Sequence, residues 1–276
     1  MLYKINGKIT NILGEKRGNK IEAFWFIKVR NAGDLVTPFL LKKYGFTPVH
    51  RWPPQARVIG CGSLLRYLSE DYDGYILGSG FLRDGPALIL PKAKVLAIRG
   101  TKSRDRIGAP VSTILGDPGL LMAKFFNFNL PKKYTLGILP HYTDKSDKRM
   151  KKILQRYPRE THFIDIQSTP LSVMREISQC QYILSSSLHG CIFADALKIP
   201  VIWLSVPGRE NERDYKFLDY SSVFSRKLIP TIISEDDSLS QILLHALPLP
   251  SGEVDEVINN LDQAFLKLKN DLLENR

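Results

Sequence analysis

Cysteine is scarce in this chain and poorly placed for cross-linking. Cys61, Cys180 and Cys191 are the three among 276 residues. Their number is odd, their surroundings are apolar and no CxxC occurs, which argues against a disulfide framework or a zinc knuckle. They read as reduced core thiols of a cytoplasmic protein. A run of about 18 apolar residues is also missing, so no membrane-spanning helix is expected. The opening MLYKINGKITNILGEKRGNK lacks the apolar core of a signal peptide, and membrane association, if any, is expected to be peripheral, at an inner membrane face. Neither GxGxxG nor GxxxxGK[ST] appears, which weakens a dinucleotide or P-loop reading. HExxH, GxSxG and cysteine clusters are missing too, so no required metal and no cofactor are expected. The Asp71-Tyr72-Asp73 triplet has the form of a metal-binding DxD, but it precedes a strand and reads as a solvated loop.

Negative charge is the other shortage. Lys and Arg outnumber Asp and Glu by 39 to 28, a formal net charge of +11. That balance points to anionic partners such as a phosphorylated metabolite or an acidic membrane face. No Lys/Arg block interleaved with aromatics occurs, and nucleic acid is not expected. At 43% hydrophobic and 24% charged residues, the chain has the composition of a globular protein with ample core.

Short apolar runs ending in glycine or a small polar residue set the rhythm: AFWFIKV then NAGD, ARVI then GCGS, GYIL then GSG, KVLAI then RGTKSR, and STIL then GDPG. Helical segments are expected at 35–44, 64–68 and 120–126. Strand-then-loop units separated by helices predict a mainly parallel α/β sheet, with the glycine-bearing junctions on one edge. The pattern resets in the polar, proline-containing stretch at 127–133, which divides the chain into an N-terminal domain, 1–128, and a C-terminal domain, 129–250. The second set of strands is YTLGIL, THFIDI, QYILSSS, VIWLS and IPTIIS, with a basic helix at 145–157 and an amphipathic one at 171–178. Two such sheets in tandem predict a cleft between them. Residues 251–276 carry Val254, Ile258, Leu261, Phe265, Leu268 and Leu272 at helical spacing, a helix with one buried stripe that packs back on the body.

The candidate functional residues sit at strand ends. In YILSSSLHGCIFADALKIP, His189 falls where a buried strand meets a helix, a position at which open α/β sheets bind ligands. His141 in LPHYTD occupies the equivalent place two strands earlier. A neutral imidazole there can exchange protons and a charged one can bind phosphate, while a structural role is the alternative for either. Asn31-Ala32-Gly33-Asp34 offers a carboxylate that accepts a proton from a hydroxyl, or else caps a helix. Gly62 and Ser63, in GCGS, leave room for a ligand against bare backbone, although tight packing of loop on strand accounts equally for such glycines. Arg99 at the end of VLAI has a fork suited to carboxylate or phosphate, with a structural salt bridge as the alternative. Arg213 and Lys216, in RENERDYKFLDY, either reach into the cleft as anion ligands or form the exposed face of a helix.

NAGD, GCGS, the IRG of Ile98 to Gly100, LGDPGLL, GILPHYTD, SSSLHGCIFADALKIP and KFLDYSS, in that order and spacing from about Trp25 to Ser222, resemble the polysaccharide pyruvyl transferase family, especially its short bacterial exopolysaccharide and capsule members. The resemblance implies two Rossmann-like domains facing across a cleft in a GT-B-like arrangement. It also implies an enzyme that takes phosphoenolpyruvate as donor and makes a pyruvate ketal on a saccharide acceptor, lipid-linked or not. On that reading His189 binds phosphate and is the general acid, and Asp34 is the base, with exchanged roles left open. Arg99, Lys216, Asn31, Gly62, Ser63, His141, Ser187, Gly190 and Arg213 are the substrate-binding candidates, with Arg209 and Arg213 as rivals to Lys216. Many members carry RLHG where this chain has Ser187-Leu188-His189-Gly190, so an anion contact must come from elsewhere. A GT-B glycosyltransferase using a nucleotide sugar is the alternative, and a non-catalytic binding protein a second one. No ribose-binding Glu motif favours the former.

Overall fold

Two parallel sheets organise the computed structural model, which describes residues 19–125, 130–206 and 210–273, without the side chains of 210–213. The first contains β1 (Asn19–Phe24), β2 (Phe46–His50), β3 (Val58–Ile59), β4 (Tyr75–Ser79), β5 (Lys94–Ile98) and β6 (Ile114–Leu115), in the spatial order β2-β1-β3-β4-β5-β6. The second contains β7 (Tyr134–Leu139), β8 (Thr161–Phe163), β9 (Cys180–Ser185) and β10 (Val201–Trp203), ordered β10-β9-β7-β8. Adjacent strands run parallel throughout both sheets. Parallel sheets are covered on both faces, which is why β4 is buried along its whole length and its Tyr75, Ile76 and Leu77 follow one another without polar alternation.

The helices are α1 (Val36–Lys43), α2 (Thr101–Arg106), α3 (Lys148–Arg156), α4 (Pro170–Ser178), α5 (Leu188–Ala196), α6 (Glu210–Ser221), α7 (Leu239–Leu243) and α8 (Ser251–Leu273), with 3-10 turns at Leu65–Tyr67 and Pro118–Phe125. Local chemistry explains several starts. Asp147 accepts from the N–H groups of Arg149 and Met150 to begin α3, and Thr169 followed by Pro170 begins α4.

Several sequence expectations are corrected in detail. The first strand ends at Phe24, so WFIKV continues as irregular backbone and Phe26 reaches the cleft. β2 has no counterpart in the sequence reading because Pro48 masks it, yet an edge strand tolerates proline. The segment TKSRDR, read as loop, is α2. Its first turn is held by a residue far away in sequence: the Ser103 N–H donates to Asp219 Oδ1 at 2.8 Å. IPTIIS shrinks to one bridge, Leu204 with Thr231.

α8 lies over the first sheet although it closes the chain. A Cβ on Gly116 would fall 2.6 Å from Val257, and the Phe265 ring stacks on Tyr44 at 4.9 Å. Tyr44 and Lys124 both donate to the Asp262 carboxylate. Of the stretch 127–133, where the sequence pattern resets, residues 127–129 lie outside the described residues.

Within each sheet the strands share one direction, so their C-terminal ends collect on one edge. The two edges face each other: the Ala32 N–H, after β1, donates to the Ile166 carbonyl at 2.8 Å, and Gly33 lies against the His189 ring. Asp71 is exposed ahead of β4, on the opposite edge.

Candidate active site

The facing edges enclose a cleft of about 290 Å³ whose walls include Asn31, Asp34, Gly62 and Ser63 from the first sheet's ends and His141, Ser187 and His189 from the second's, with Lys216 of α6 between them. Eight of the expected site residues thus share one cavity.

Each is placed by its turn. Asn31 Oδ1 accepts the Gly33 N–H at 2.9 Å, which closes the loop after β1. That turn leaves Asp34 facing the cleft. The capping position of α1 is Leu35, with no side-chain cap bond, so Asp34 is not a helix cap. Burial raises the Asp34 carboxyl to about 7, opposed by the Lys216 ammonium and reinforced by Asp117. Gly62 has φ +113°, a conformation that favours glycine, and a Cβ there would stand 3.2 Å from Asp34 Oδ1. Lys216 is only 7% exposed, so it belongs to the cleft and not to a solvated helix face.

His189 projects from the first turn of α5. Burial lowers its pKa to about 4, which the Asp117 carboxylate opposes and Lys216 and Arg99 reinforce, so the ring is neutral at pH 7. His141 turns its Nδ1 to the Thr143 hydroxyl at 2.8 Å, and its backbone N–H donates to Ser186 Oγ at 2.9 Å. The Ser186 hydroxyl in turn donates to Asp144 at 2.8 Å.

Two expectations are corrected. Arg99 is not on the cleft wall: its guanidinium is buried and bonds Asp219 through Nε at 3.0 Å, the Phe81 carbonyl, and Ser63 Oγ at 2.9 Å. A buried guanidinium needs a carboxylate, and α6 supplies it. Arg99 therefore touches the cleft only through Ser63. Gly190 is not on the wall either. Its N–H already donates to the Ser187 carbonyl at 3.0 Å, and a Cβ there would strike Ser185 Oγ at 2.2 Å. It is a packing glycine, and α5 opens on the cleft at Ser187 to His189 instead. The side chain of Arg213 and all of Arg209 lie outside the described residues.

Sequence reasoning missed the aromatic and basic rim formed by Phe26, Arg66, Tyr67, Arg83 and Tyr142. Phe26, Arg66, Tyr67 and Arg83 lie outside every motif singled out in the sequence, and Tyr142 stands beside His141 in LPHYTD without being chosen. It also missed Asp117, whose signal was available: a carboxylate directly after β6, in LGDPG. Cys61, read as a core thiol, lies 3.1 Å from both Asp117 Oδ1 and His189 Nε2. Among the described residues these three are the group whose donor atoms could approach one ion, all within 4.8 Å of one another. The sulfur sits between the other two, and burial raises the thiol pKa well above its usual value. That arrangement is a hydrogen-bonded row around a protonated thiol.

Comparison with known proteins adds the following. The family model described as "Polysaccharide pyruvyl transferase" matches residues 15–207. The uncharacterised protein L143 of Acanthamoeba polyphaga mimivirus is 33% identical over 226 residues, 76% of each chain. The succinoglycan biosynthesis protein ExoV of Rhizobium meliloti is 26% identical over 207 residues, 72% of this chain and 63% of ExoV. Among solved structures, the wall teichoic acid polymerase TagF, as an H444N variant, aligns at 10% identity and TM-score 0.47, covering 97% of this chain and 92% of that one.

Proposed function

The chain belongs to the polysaccharide pyruvyl transferase family, and from that premise we propose that its cleft moves the pyruvyl group of phosphoenolpyruvate onto two hydroxyls of one sugar in a surface polysaccharide, releasing phosphate. A pyruvyl transfer role in polysaccharide synthesis follows from the family and from the relationship to ExoV. The donor, the ketal and the residue roles are the proposal.

The observation that carries it is the meeting of Asp34, Lys216 and His189 in one cavity, with Asp34 raised to about 7. A carboxylate with that affinity for protons is a competent base for a sugar hydroxyl at neutral pH. Lys216 and the N-terminal turn of α5 at Ser187 to His189 favour a multiply charged anion. The phosphoryl group that enters beside His189 favours the protonated ring, so the anion itself makes the imidazole an acid.

Transfer then balances as follows. His189 delivers a proton to C3 of the enol, whose methylene becomes a methyl. A hydroxyl oxygen of the acceptor bonds to C2 and gives its proton to Asp34. The C2–O bond to phosphate breaks, a second hydroxyl of the same sugar takes its place, and its proton leaves with phosphate. Arg66 and Arg83, at the rim, supply positive charge that Ser187 lacks where many members carry arginine. Phe26, Tyr67 and Tyr142 offer ring faces to a sugar.

The test is incubation with phosphoenolpyruvate and a panel of lipid-linked and free oligosaccharides, read by phosphate release and product mass. A pyruvate ketal on the product supports the reading. A new glycosidic bond from a nucleotide sugar, or binding of phosphoenolpyruvate with no turnover on any acceptor, overturns it.

A further inference from the structure

Under the cleft floor three side chains from three different strand ends stand in a row. Cys61 follows β3, Asp117 follows β6, and His189 follows β9. Cys61 Sγ is 3.1 Å from Asp117 Oδ1 and 3.1 Å from His189 Nε2, whereas Nε2 and the carboxylate are 4.0 Å apart. That last distance is too long for a direct hydrogen bond, and the large sulfur atom spans the gap. Both Cys61 and Asp117 are fully buried. Asp117 Oδ1 also accepts the Gly119 N–H at 2.9 Å, and Oδ2 has no hydrogen-bond partner.

Donor arithmetic fixes the protons along this row. A carboxylate only accepts, so the thiol hydrogen points to Asp117. A sulfur that has given its hydrogen can only accept from its other neighbour, so His189 Nε2 carries a hydrogen. A neutral imidazole has one N–H, which leaves Nδ1 with its lone pair. No hydrogen bond from a described residue reaches Nδ1, and Gly33 packs over the ring at that nitrogen, where a Cβ would fall 2.0 Å away.

We propose that Cys61 and Asp117 are positioning residues that hold His189 as its Nε2–H tautomer, so that Nδ1 is the nitrogen the ring presents to substrate. The inference rests on the reading of the cleft as the transfer site. When Nδ1 takes a proton, the Nε2–H stays bonded to sulfur, with the Asp117 carboxylate behind it to balance the new charge. The other charged groups that act on the ring are Lys216, on the cleft wall, and Arg99, buried behind Ser63, which both disfavour its protonation, and the Asp34 carboxyl lies in the same cavity.

The test reads the ring directly. Long-range proton–nitrogen NMR spectra of the uniformly labelled full chain give the His189 tautomer without substrate, with the signal assigned by its loss in His189→Gln. Wild type is expected to show a protonated Nε2 and an unprotonated Nδ1. Cys61→Ala is expected to mix the two tautomers and to lower kcat by about 100-fold, with KM for phosphoenolpyruvate nearly unchanged. Cys61→Ser keeps a donor and acceptor at that place and is expected to restore the tautomer and most of the rate. Asp117→Asn is expected to keep the tautomer but to move the His189 limb of the pH profile to lower pH. A protonated Nδ1 in wild type overturns the proposal, as does a Cys61→Ala protein whose ring spectrum and pH profile match wild type. Stoichiometric metal in the purified protein that Cys61→Ala loses also overturns it, making the row a metal site. The two readings fail separately: the tautomer is measured in the free protein, whereas pyruvyl transfer is measured on product. An inactive wild type with a locked Nε2–H ring sinks only the proposed function.

Discussion

Arg99 Nη2 and Asp219 Oδ2 meet at 3.0 Å, with side chains 1% and 0% exposed. The same carboxylate also takes the Ser103 hydroxyl at 2.6 Å and the Ser103 N–H at 2.8 Å. One buried carboxylate of α6 therefore ties the end of β5, the start of α2 and, through Arg99, the cleft residue Ser63.

Removing one partner leaves the other charge buried and alone. Asp219→Ala and Arg99→Ala are each expected to cost about 3–5 kcal/mol, measured by urea unfolding. Arg99→Lys is expected to recover little of this, because an ammonium cannot make the forked contacts to Asp219, Phe81 and Ser63 together. Recovery of full stability by lysine would mean that charge alone matters there.

Asp34 opposes stability where it supports chemistry. Its folded pKa, about 7, lies above the unfolded value of 3.8. Below the unfolded value both states are protonated and nothing is lost. The penalty grows as pH rises and is complete above 7. Asp34→Asn is thus expected to be more stable than wild type at pH 8 by about 1–2 kcal/mol, allowing for screening in the half-open cleft, and equal to it at pH 3.5. Product formation is expected to fall by at least about 100-fold. Thermal melts at the two pH values and a phosphate-release assay check both halves.

For His189 the sign is the opposite in pH. Its folded pKa, about 4, lies below the unfolded value of 6.5. The neutral ring contributes no penalty above the unfolded value, and stability falls as pH drops from 6.5 toward 4. His189→Gln is expected to flatten that part of the stability profile. An unchanged acid slope in the variant would show that the ring titrates normally.

Gly33→Ala puts a methyl group 2.0 Å from His189 Nδ1 and 2.1 Å from its Cγ. The ring must move, and a displacement of about 1 Å is expected to reduce turnover by about 100-fold. The mirror experiment is Gly45→Ala, at a glycine with φ +93° and nothing within 4 Å. It is expected to lose stability through backbone strain while turnover is kept. Equal turnover in the two variants would contradict the contact.

Leu261, fully buried on α8 beside Gly116, joins the last helix to the first sheet. Leu261→Ala is expected to cost about 2–5 kcal/mol. The loss should appear as lower stability at unchanged KM, since α8 contributes no wall residue to the cleft.

The amino-acid sequence alone determined the alternation of strands and helices, the parallel sheets and the loops that bear Asn31, Asp34, Gly62, Ser63, His141, Ser187 and His189. Those features are local: an apolar run, a small residue at its end and helical spacing after it define a strand end without any knowledge of the partner. Only the tertiary structure decided which of these residues work together. Arg99 follows a strand and Lys216 lies within α6, and nothing near either in sequence says which of the two cations reaches the cleft. A carboxylate 120 positions away removes Arg99 from the wall, while the packing of α6 between the sheets delivers Lys216 to it. Cys61 likewise reads as a core thiol until Asp117 and His189, 56 and 128 positions further along the chain, close on either side of it. Side-chain type sets what a group is able to do, and the desolvation and partners that set its charge arise only when distant segments pack.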